Sequence, residues 1–386
     1  MCYKRNMKKL LFISSLDATG EKLNYDGVMK KLLYQIKTLE EMGFDVDYVK
    51  RKDNVIYICN NNTHKSEHLI DTVPSFYDTM KRLYLSLTNR IPDMQYDVVY
   101  MRYEHLSWPE SRFFKKVKNH NKQIRLYAEL PTYMGKWEPG ASLLAKVKFI
   151  INRISQIIIP LNVDRVVTFS DHERIYGIET IRIENFADIE SLPVRQLQEE
   201  DGFHMMGVAM MTPSHGYDRV IKGLKEYYDS NPAKKVYLHL IGKGYVVPEW
   251  KHLVEEYNLS KYVIFEGIKS GKDLDDYFNR CQVAVATLAI FRKKCPKASE
   301  LKIREYTARG IPFIYSAYEP QFEDQSFCLK EPHDESPINI QQVLDFYYGL
   351  DTSIISKKMR EFAMNNCTCK KQFEKVFLTK NNDSCL

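Results

Sequence analysis

SELKIREYTARGIPFIYS, residues 299–316, compresses a charged helix, a tight Gly-Pro turn and a buried strand into one unit. Lys302 to Ala308 contains few helix breakers, Gly310 suits a left-handed C-cap, and Ile311, Phe313 and Ile314 restart as a strand. The Glu305 carboxylate then lies one turn from Leu301 and Lys302, on a helix whose N-terminal end carries partial positive charge. Just upstream, Val283 to Ala286 reads as a buried strand, so the loop from Thr287 to Ala298 leaves a strand end and enters this helix. Open α/β sheets bind ligands at that edge.

The same alternation extends backwards from this unit. Met205 to Met210 reads as a strand, and Thr212-Pro213-Ser214-His215-Gly216-Tyr217-Asp218-Arg219 enters a helix through Tyr227. A glycine at a helix mouth lets backbone N–H groups approach a phosphate, which makes His215, Gly216 and Arg219 phosphate candidates. Val236 to Gly244 is a strand followed by a Gly242-Lys243-Gly244 turn. Val263 to Gly267, a helix from Lys272 to Arg280 and the strand at 283–286 complete a βα repeat.

The first half opens as a βαβ unit: strand Lys9 to Ser15, a loop containing Gly27, a helix from Val28 to Met42 closed by Gly43, and strand Asp45 to Val49. The loop lacks Gly-x-Gly-x-x-Gly, which argues against a nicotinamide enzyme. Asp45-Val46-Asp47 has the form of a metal-binding Asp-x-Asp, but Phe44, Val46 and Tyr48 alternate with the acids as in a strand, so no metal is expected. Strands Val98 to Arg102, Ile124 to Ala128 and Arg165 to Thr168 place Arg102, His105 and Glu129 on one rim. A carboxylate there, Glu129, can bind hydroxyl groups or accept a proton.

Charge is uneven. Residues 101–153 carry eleven Lys/Arg against four acids, an excess that exceeds the +6 of the whole chain. Leu144, Val147, Ile151, Ile154 and Ile158 recur there at helical spacing with Lys146, Lys148 and Arg153 between them. Two readings stay open: a core-facing helix with a solvated basic side, or a helix resting on an anionic membrane. Nucleic acid is disfavoured, because no zinc pattern, basic-aromatic platform or helix-turn-helix accompanies the charge.

A chain of 386 residues, 44% apolar and 27% charged, fits a soluble protein of two domains. No run of about 18 uncharged apolar residues is present. The start, MCYKRNMKKLLFISS, reads as a first buried strand and not as a signal peptide. The eight cysteines are scattered, and Cys367-Thr368-Cys369 has no second half, so reduced thiols in a cytoplasmic protein are expected.

Glu305-Tyr306-Thr307-Ala308-Arg309-Gly310-Ile311-Pro312 resembles the Glu, small-residue helix, Gly-x-Pro element of the retaining, family 4-like glycosyltransferases of the GT-B fold. YDVVYMRYEHLSWPE and LYAELPTY look like the corresponding region of bacterial polysaccharide-type members. The family's earlier acid, counted back from Glu305, falls on Lys297, and Glu300 is the nearest carboxylate. The Asn-Gly-hydrophobic-Asp of the interdomain boundary stands here as Asn185-Phe186-Ala187-Asp188, and the Gly-Arg…Lys-Gly pair is replaced by Gly207-Val208 and His215-Gly216.

The resemblance implies an α/β fold of two Rossmann-like domains facing each other across a cleft. The expected parts are an acceptor-binding domain at 1–188, a nucleotide-sugar domain at 189–355, and a C-terminal segment, 356–386, crossing back to the first domain. It implies transfer from a nucleotide-diphosphate sugar to a glycan or lipid-linked acceptor, with retention and without metal or other cofactor, in cell-surface polysaccharide synthesis at the inner face of the membrane. His105, Glu129 and Glu300 are then the catalytic candidates. His215, Gly216, Arg219, Gly242, Lys243, Gly267, Lys302 and Glu305 would bind the donor, and Gly27 and Arg102 the acceptor. A nucleotide-sugar-binding protein without activity and a sugar-nucleotide epimerase are the alternatives, since several motif positions are altered.

Overall fold

The computed structural model describes residues 7–14, 27–93, 95–102, 108–130, 150, 162–293 and 299–378. The chain divides into two compact units, Met1–Glu184 with Cys369–Leu386, and Asn185–Thr368.

In the first unit the described strands and helices are β1 (Lys9–Ile13), α1 (Gly27–Glu41), β2 (Asp45–Lys52), β3 (Val55–Asn60), β4 (Lys65–Asp71), α2 (Phe76–Asn89), β5 (Val98–Arg102), α3 (Trp108–His120), β6 (Arg125–Leu130), β7 (Arg165–Thr168), β8 (Arg174–Ile175) and β9 (Ile178–Arg182). They form one sheet in the order β4-β3-β2-β1-β5-β6-β7-β9-β8. β1 is parallel to both β2 and β5, and its Leu10, Leu11, Phe12 and Ile13 are buried, as a central strand covered on both faces requires. The β2-β3-β4 edge is antiparallel. Asp45 and Asp47 on β2 have local partners: the Asn60 side-chain amide donates to both, at 2.9 and 2.7 Å, and the Tyr96 hydroxyl donates to Asp47 at 2.6 Å.

The second unit is a βα repeat: β10 (Phe203–Met210), α4 (Tyr217–Asp229), β11 (Val236–Lys243), α5 (Val247–Glu256), β12 (Val263–Gly267), α6 (Gly271–Arg280), β13 (Val283–Val285), α7 (Leu301–Arg309), β14 (Phe313–Tyr315), β15 (Cys328–Lys330), α8 (Ile340–Tyr348) and α9 (Ile355–Asn366). All pairings are parallel, in the order β12-β11-β10-β13-β14-β15. The order reverses between β10 and β13. Connections leaving those two strands part to opposite directions, which opens a crevice at their C-terminal ends.

The first unit boundary lies four residues before the expected one and the second thirteen residues after it, for identifiable reasons. Asn185 bonds twice to Ser299 and the Ala187 amide donates to the Cys367 carbonyl, which ties Asn185-Phe186-Ala187-Asp188 to the second unit. α9 also packs there, with Ser356 donating to the Gly310 carbonyl and Arg360 to the Ala308 carbonyl. The return to the first unit is made by the following helix alone, α10 (Cys369–Phe377), whose Phe373 and Phe377 pack against Tyr100 and Tyr127.

Candidate functional site

The crevice side of the second unit is built around α7. Glu300 is its N-cap residue, in extended backbone, and Gly310 ends it at φ 74°, the left-handed cap that the sequence signals. One oxygen of the Glu300 carboxylate, Oε2, accepts from the Thr287 amide at 3.2 Å and the Thr287 hydroxyl at 2.5 Å. Thr287 lies just past the end of β13, so this pair aims Glu300 at the strand edge. Its other oxygen, Oε1, is enclosed and has no hydrogen-bond partner among the described residues.

Two buried groups hold that arrangement. The Glu300 amide donates to Glu319 at 2.8 Å, and the second oxygen of Glu319 accepts from Arg304 at 2.7 Å. Arg304 also donates to the Glu300 carbonyl at 3.1 Å. The charge of Arg304 is thus directed inward. Thr287 and Glu319 escape a sequence reading because they lie 13 and 19 residues from Glu300, outside any local period. The two Asn185 bonds to Ser299 fix the residue before the cap.

Lys302 and Glu305 sit on the first turns of α7, both half-buried. The Lys302 ammonium nitrogen is itself enclosed, 5.8 Å from the centre of the Tyr217 ring, with no hydrogen-bond partner among the described residues. Burial pulls its pKa down to about 8 against the opposing pull of Glu300 and Glu305.

His215, Gly216 and Arg219 enter α4 beside it, but only in part as expected. His215 Nδ1 accepts from the Thr212 amide at 3.0 Å, which leaves the proton on Nε2. Burial, reinforced by the charge of Lys302, pushes the His215 pKa down to about 2, so the imidazole is neutral. It offers an N–H donor and no charge. The Gly216 amide donates back to the Pro213 carbonyl at 3.1 Å. Arg219 is fully buried, and each of its three nitrogens donates to a backbone carbonyl, those of Ser336, Leu288 and Pro332. It fastens three loops together and does not face solvent. Arg292 forms a bidentate pair with Asp218, at 2.9 and 2.8 Å, and also bonds Glu335.

The Gly242-Lys243-Gly244 turn serves the sheet. Gly242 has φ +126°, and a Cβ there would lie 1.9 Å from the Ala209 carbonyl oxygen on β10. Lys243 is exposed, and Gly267 closes β12 with open space around it.

In the first unit, Glu129 does not project from a rim. It is fully buried on β6, where Oε2 accepts from Gln35 at 2.6 Å and Tyr100 at 2.8 Å, while Oε1 accepts from Arg102 at 2.9 Å and lies 3.7 Å from Lys31. Burial alone would raise its pKa, but Lys31 and Arg102 hold it below the ordinary carboxylate value. Glu129 and Arg102 are therefore partners in an interior ion cluster. Gly27 begins α1. His105 and most of the basic segment around 144–158 lie outside the described residues. Among the described residues no group of three or more His, Cys, Asp or Glu is placed to hold a metal ion, and no helix is long and apolar enough to cross a membrane. None of the five described cysteines, Cys367 and Cys369 included, is in a disulfide.

No family model matches the chain, and no curated relative does. Solved structures do match along nearly its whole length. Sucrose-phosphate synthase from Thermosynechococcus elongatus is 16% identical, with 96% of this chain and 98% of that chain covered at a TM-score of 0.67. A glycosyltransferase from Rickettsia africae is 12% identical over 96% and 97% of the two chains, at 0.62. HepE from Anabaena, solved in complex with UDP, is 14% identical over 96% and 99%, at 0.58. These likenesses carry the fold: the chain is built as the two-domain GT-B glycosyltransferases are.

Proposed function

We propose that the chain is a glycosyltransferase that moves a sugar from a nucleotide-diphosphate donor to a glycan or lipid-linked acceptor in cell-surface polysaccharide synthesis. One observation carries the reading most directly. The Glu300 carboxylate is anchored through one oxygen at the C-terminal end of β13, while its other oxygen is enclosed and has no hydrogen-bond partner among the described residues, five residues before Glu305 of the same helix. A polar atom held in this way at a sheet switch point suits a sugar hydroxyl, and Glu305 suits the ribose. Neighbours of the same fold were solved with UDP, and one of them, the pneumococcal O-GlcNAc transferase GtfA, with UDP and GlcNAc.

The reading includes retention of anomeric configuration, supported by the resemblance around Glu305 to Pro312, and no resident metal ion. In the transfer the bond between the anomeric carbon and the β-phosphate oxygen breaks, and its electron pair leaves with the diphosphate. The acceptor hydroxyl then bonds the sugar carbon, and its proton passes to the departing diphosphate. Fixed donors and cations near the phosphates stabilise the departing charge.

The experiment is a transfer assay with uridine and guanosine diphosphate sugars, alongside Glu300→Gln and Glu305→Gln. Turnover by the wild type that falls at least about a hundredfold in Glu300→Gln, with nucleotide still bound, supports the reading. Donor binding without transfer or hydrolysis points instead to a binding protein, and release of an altered nucleotide sugar without acceptor points to an epimerase.

A further inference from the structure

We propose that Lys302 is the cation that receives the donor's diphosphate, reaching the crevice from the helix α7 rather than from a strand-end loop. The inference rests on the nucleotide-sugar reading above and deepens it.

The first support is the state of the side chain. An ammonium has three N–H donors and strong hydration, so enclosing it without an acceptor costs several kcal/mol unless an anion completes the site. Lys302 Nζ is enclosed in this way, without a hydrogen-bond acceptor among the described residues and 5.8 Å from the centre of the Tyr217 ring. The second support is position. Lys302 lies one turn from Tyr306, whose hydroxyl accepts from the Val208 amide at 3.4 Å. Tyr217 opens α4, and a Cβ on Gly207 would come within 2.7 Å of its ring. Gly207 and Val208 belong to β10, and the Tyr217 hydroxyl reaches the Val285 carbonyl of β13 at 3.5 Å. Lys302 therefore stands where the connections of β10 and β13 diverge, beside the mouth of α4.

The third support comes from the other cations nearby among the described residues. His215 is neutral and Arg219 donates to three carbonyls. Arg292 is paired with Asp218 and Glu335, Arg304 with Glu319, and Arg309 with Asp275. Lys293 adds positive charge from the exposed turn at Ile290–Lys293. The charged groups that act on Lys302 are thus Glu300 and Glu305 from its own helix, which favour its charge, while His215 at the mouth of α4 is neutral. A diphosphate adds negative charge to that balance. When the glycosyl bond breaks, the ammonium stabilises the oxygen that takes the electron pair and keeps its own protons.

The test is calorimetry on the full chain with uridine and UDP, and with guanosine and GDP. Wild type, Lys302→Met and Lys302→Arg are compared, with thermal melts confirming that each variant is folded. Lys302→Met is expected to weaken diphosphate binding at least about thirtyfold while nucleoside binding is unchanged, and Lys302→Arg to restore part of the loss. Wild-type diphosphate binding is also expected to weaken between pH 7 and 9, as an ammonium with a pKa of about 8 loses its proton. This measurement needs no variant to fold. A folded Lys302→Met that binds the diphosphate as wild type does, or a flat pH profile, overturns the assignment of Lys302 alone. Wild-type protein that binds no nucleotide at all overturns the reading beneath it as well.

Discussion

The Glu319 carboxylate accepts the backbone amide of Glu300 at 2.8 Å. Its other oxygen closes a fully buried ion pair with Arg304 at 2.7 Å, so one side chain sets both the cap of α7 and its internal charge. Glu319→Leu strands a buried guanidinium and is expected to cost about 3–5 kcal/mol in chemical denaturation. Replacing both partners, Arg304→Met with Glu319→Leu, is expected to recover much of that loss, because an apolar pair carries no unpaired charge. Equal losses in the single and double variants would show that the pair is not the element at stake.

Thr287 tests the aim of Glu300 separately from its presence. Thr287→Val keeps shape and volume but removes the hydroxyl bond of 2.5 Å. Under the proposed function, kcat is expected to fall about tenfold to a hundredfold with UDP affinity unchanged, since a loosened carboxylate loses alignment and not nucleotide contact. A change in affinity alone would move Thr287 from positioning the sugar to binding the nucleotide.

Much of the architecture is legible in the chain because periods of two and 3.6 alternate with glycine-closed turns. β5, β7 and β12 fall where the pattern puts them, and β13 within one residue. The β3-β4 edge is not read, although Asp53-Asn54 is a two-residue hairpin signal: Lys52 pairs with Val55 across it, with Asp53 at φ 52°. Site residues divide on a different line. A sequence shows that Arg219, Arg304 and Glu129 carry charge, but not that Arg219 meets carbonyls 69 to 117 residues away or that Glu129 meets Lys31. Partners that distant set whether a charge serves the interior or a ligand, and no local spacing encodes them.

Gly242 separates a sheet role from a ligand role for the Gly-Lys-Gly turn. A Cβ would lie 1.9 Å from the Ala209 oxygen in a backbone already at φ +126°. Gly242→Ala is expected to destabilise the protein by about 2 kcal/mol or more, read as a lower urea midpoint, whether or not nucleotide is present. Lys243→Ala, at an exposed position of the same turn, is expected to stay within about 0.5 kcal/mol.

His204 and His239 supply a pH prediction. His204 Nδ1 lies 3.0 Å from His239 Nε2, His239 Nδ1 lies 2.7 Å from Glu266, and His204 Nε2 lies 3.2 Å from the Asp201 carbonyl. Three links between two terminal acceptors need three protons, and two neutral imidazoles bring two. The short Glu266 link takes one and the link between the rings the other, which leaves the longest, at Asp201, without one. Burial lowers both imidazole pKa values despite the pull of Asp201 on one and Glu266 on the other. A folded pKa below the unfolded one means that the unfolded chain binds more protons under about pH 6.5. Stability is therefore expected to be full above that pH and to decline below it. Urea unfolding at pH 7.5 and 5.5 checks this, and His239→Gln should shrink the difference. An equal decline in His239→Gln would assign the acid sensitivity to groups outside this pair.

The interior cluster of the first unit carries the last prediction. Glu129 is held by Lys31, Arg102, Gln35 and Tyr100 beneath α10. Its folded pKa lies below the ordinary value, so it contributes stability that is present above the unfolded carboxylate pKa and lost as pH falls through the folded one. Lys31→Met removes the larger of the two charges that outweigh burial and leaves Arg102, so acid unfolding is expected to begin at a higher pH than in wild type. Glu129→Gln leaves the buried ammonium of Lys31 without its counter-charge and is expected to cost about 3 kcal/mol at pH 7. Transfer activity decides whether the cluster is more than structural. If Glu129→Gln, assayed at a temperature where it remains folded, keeps wild-type kcat, the carboxylate serves the interior of its unit and takes no proton from the acceptor.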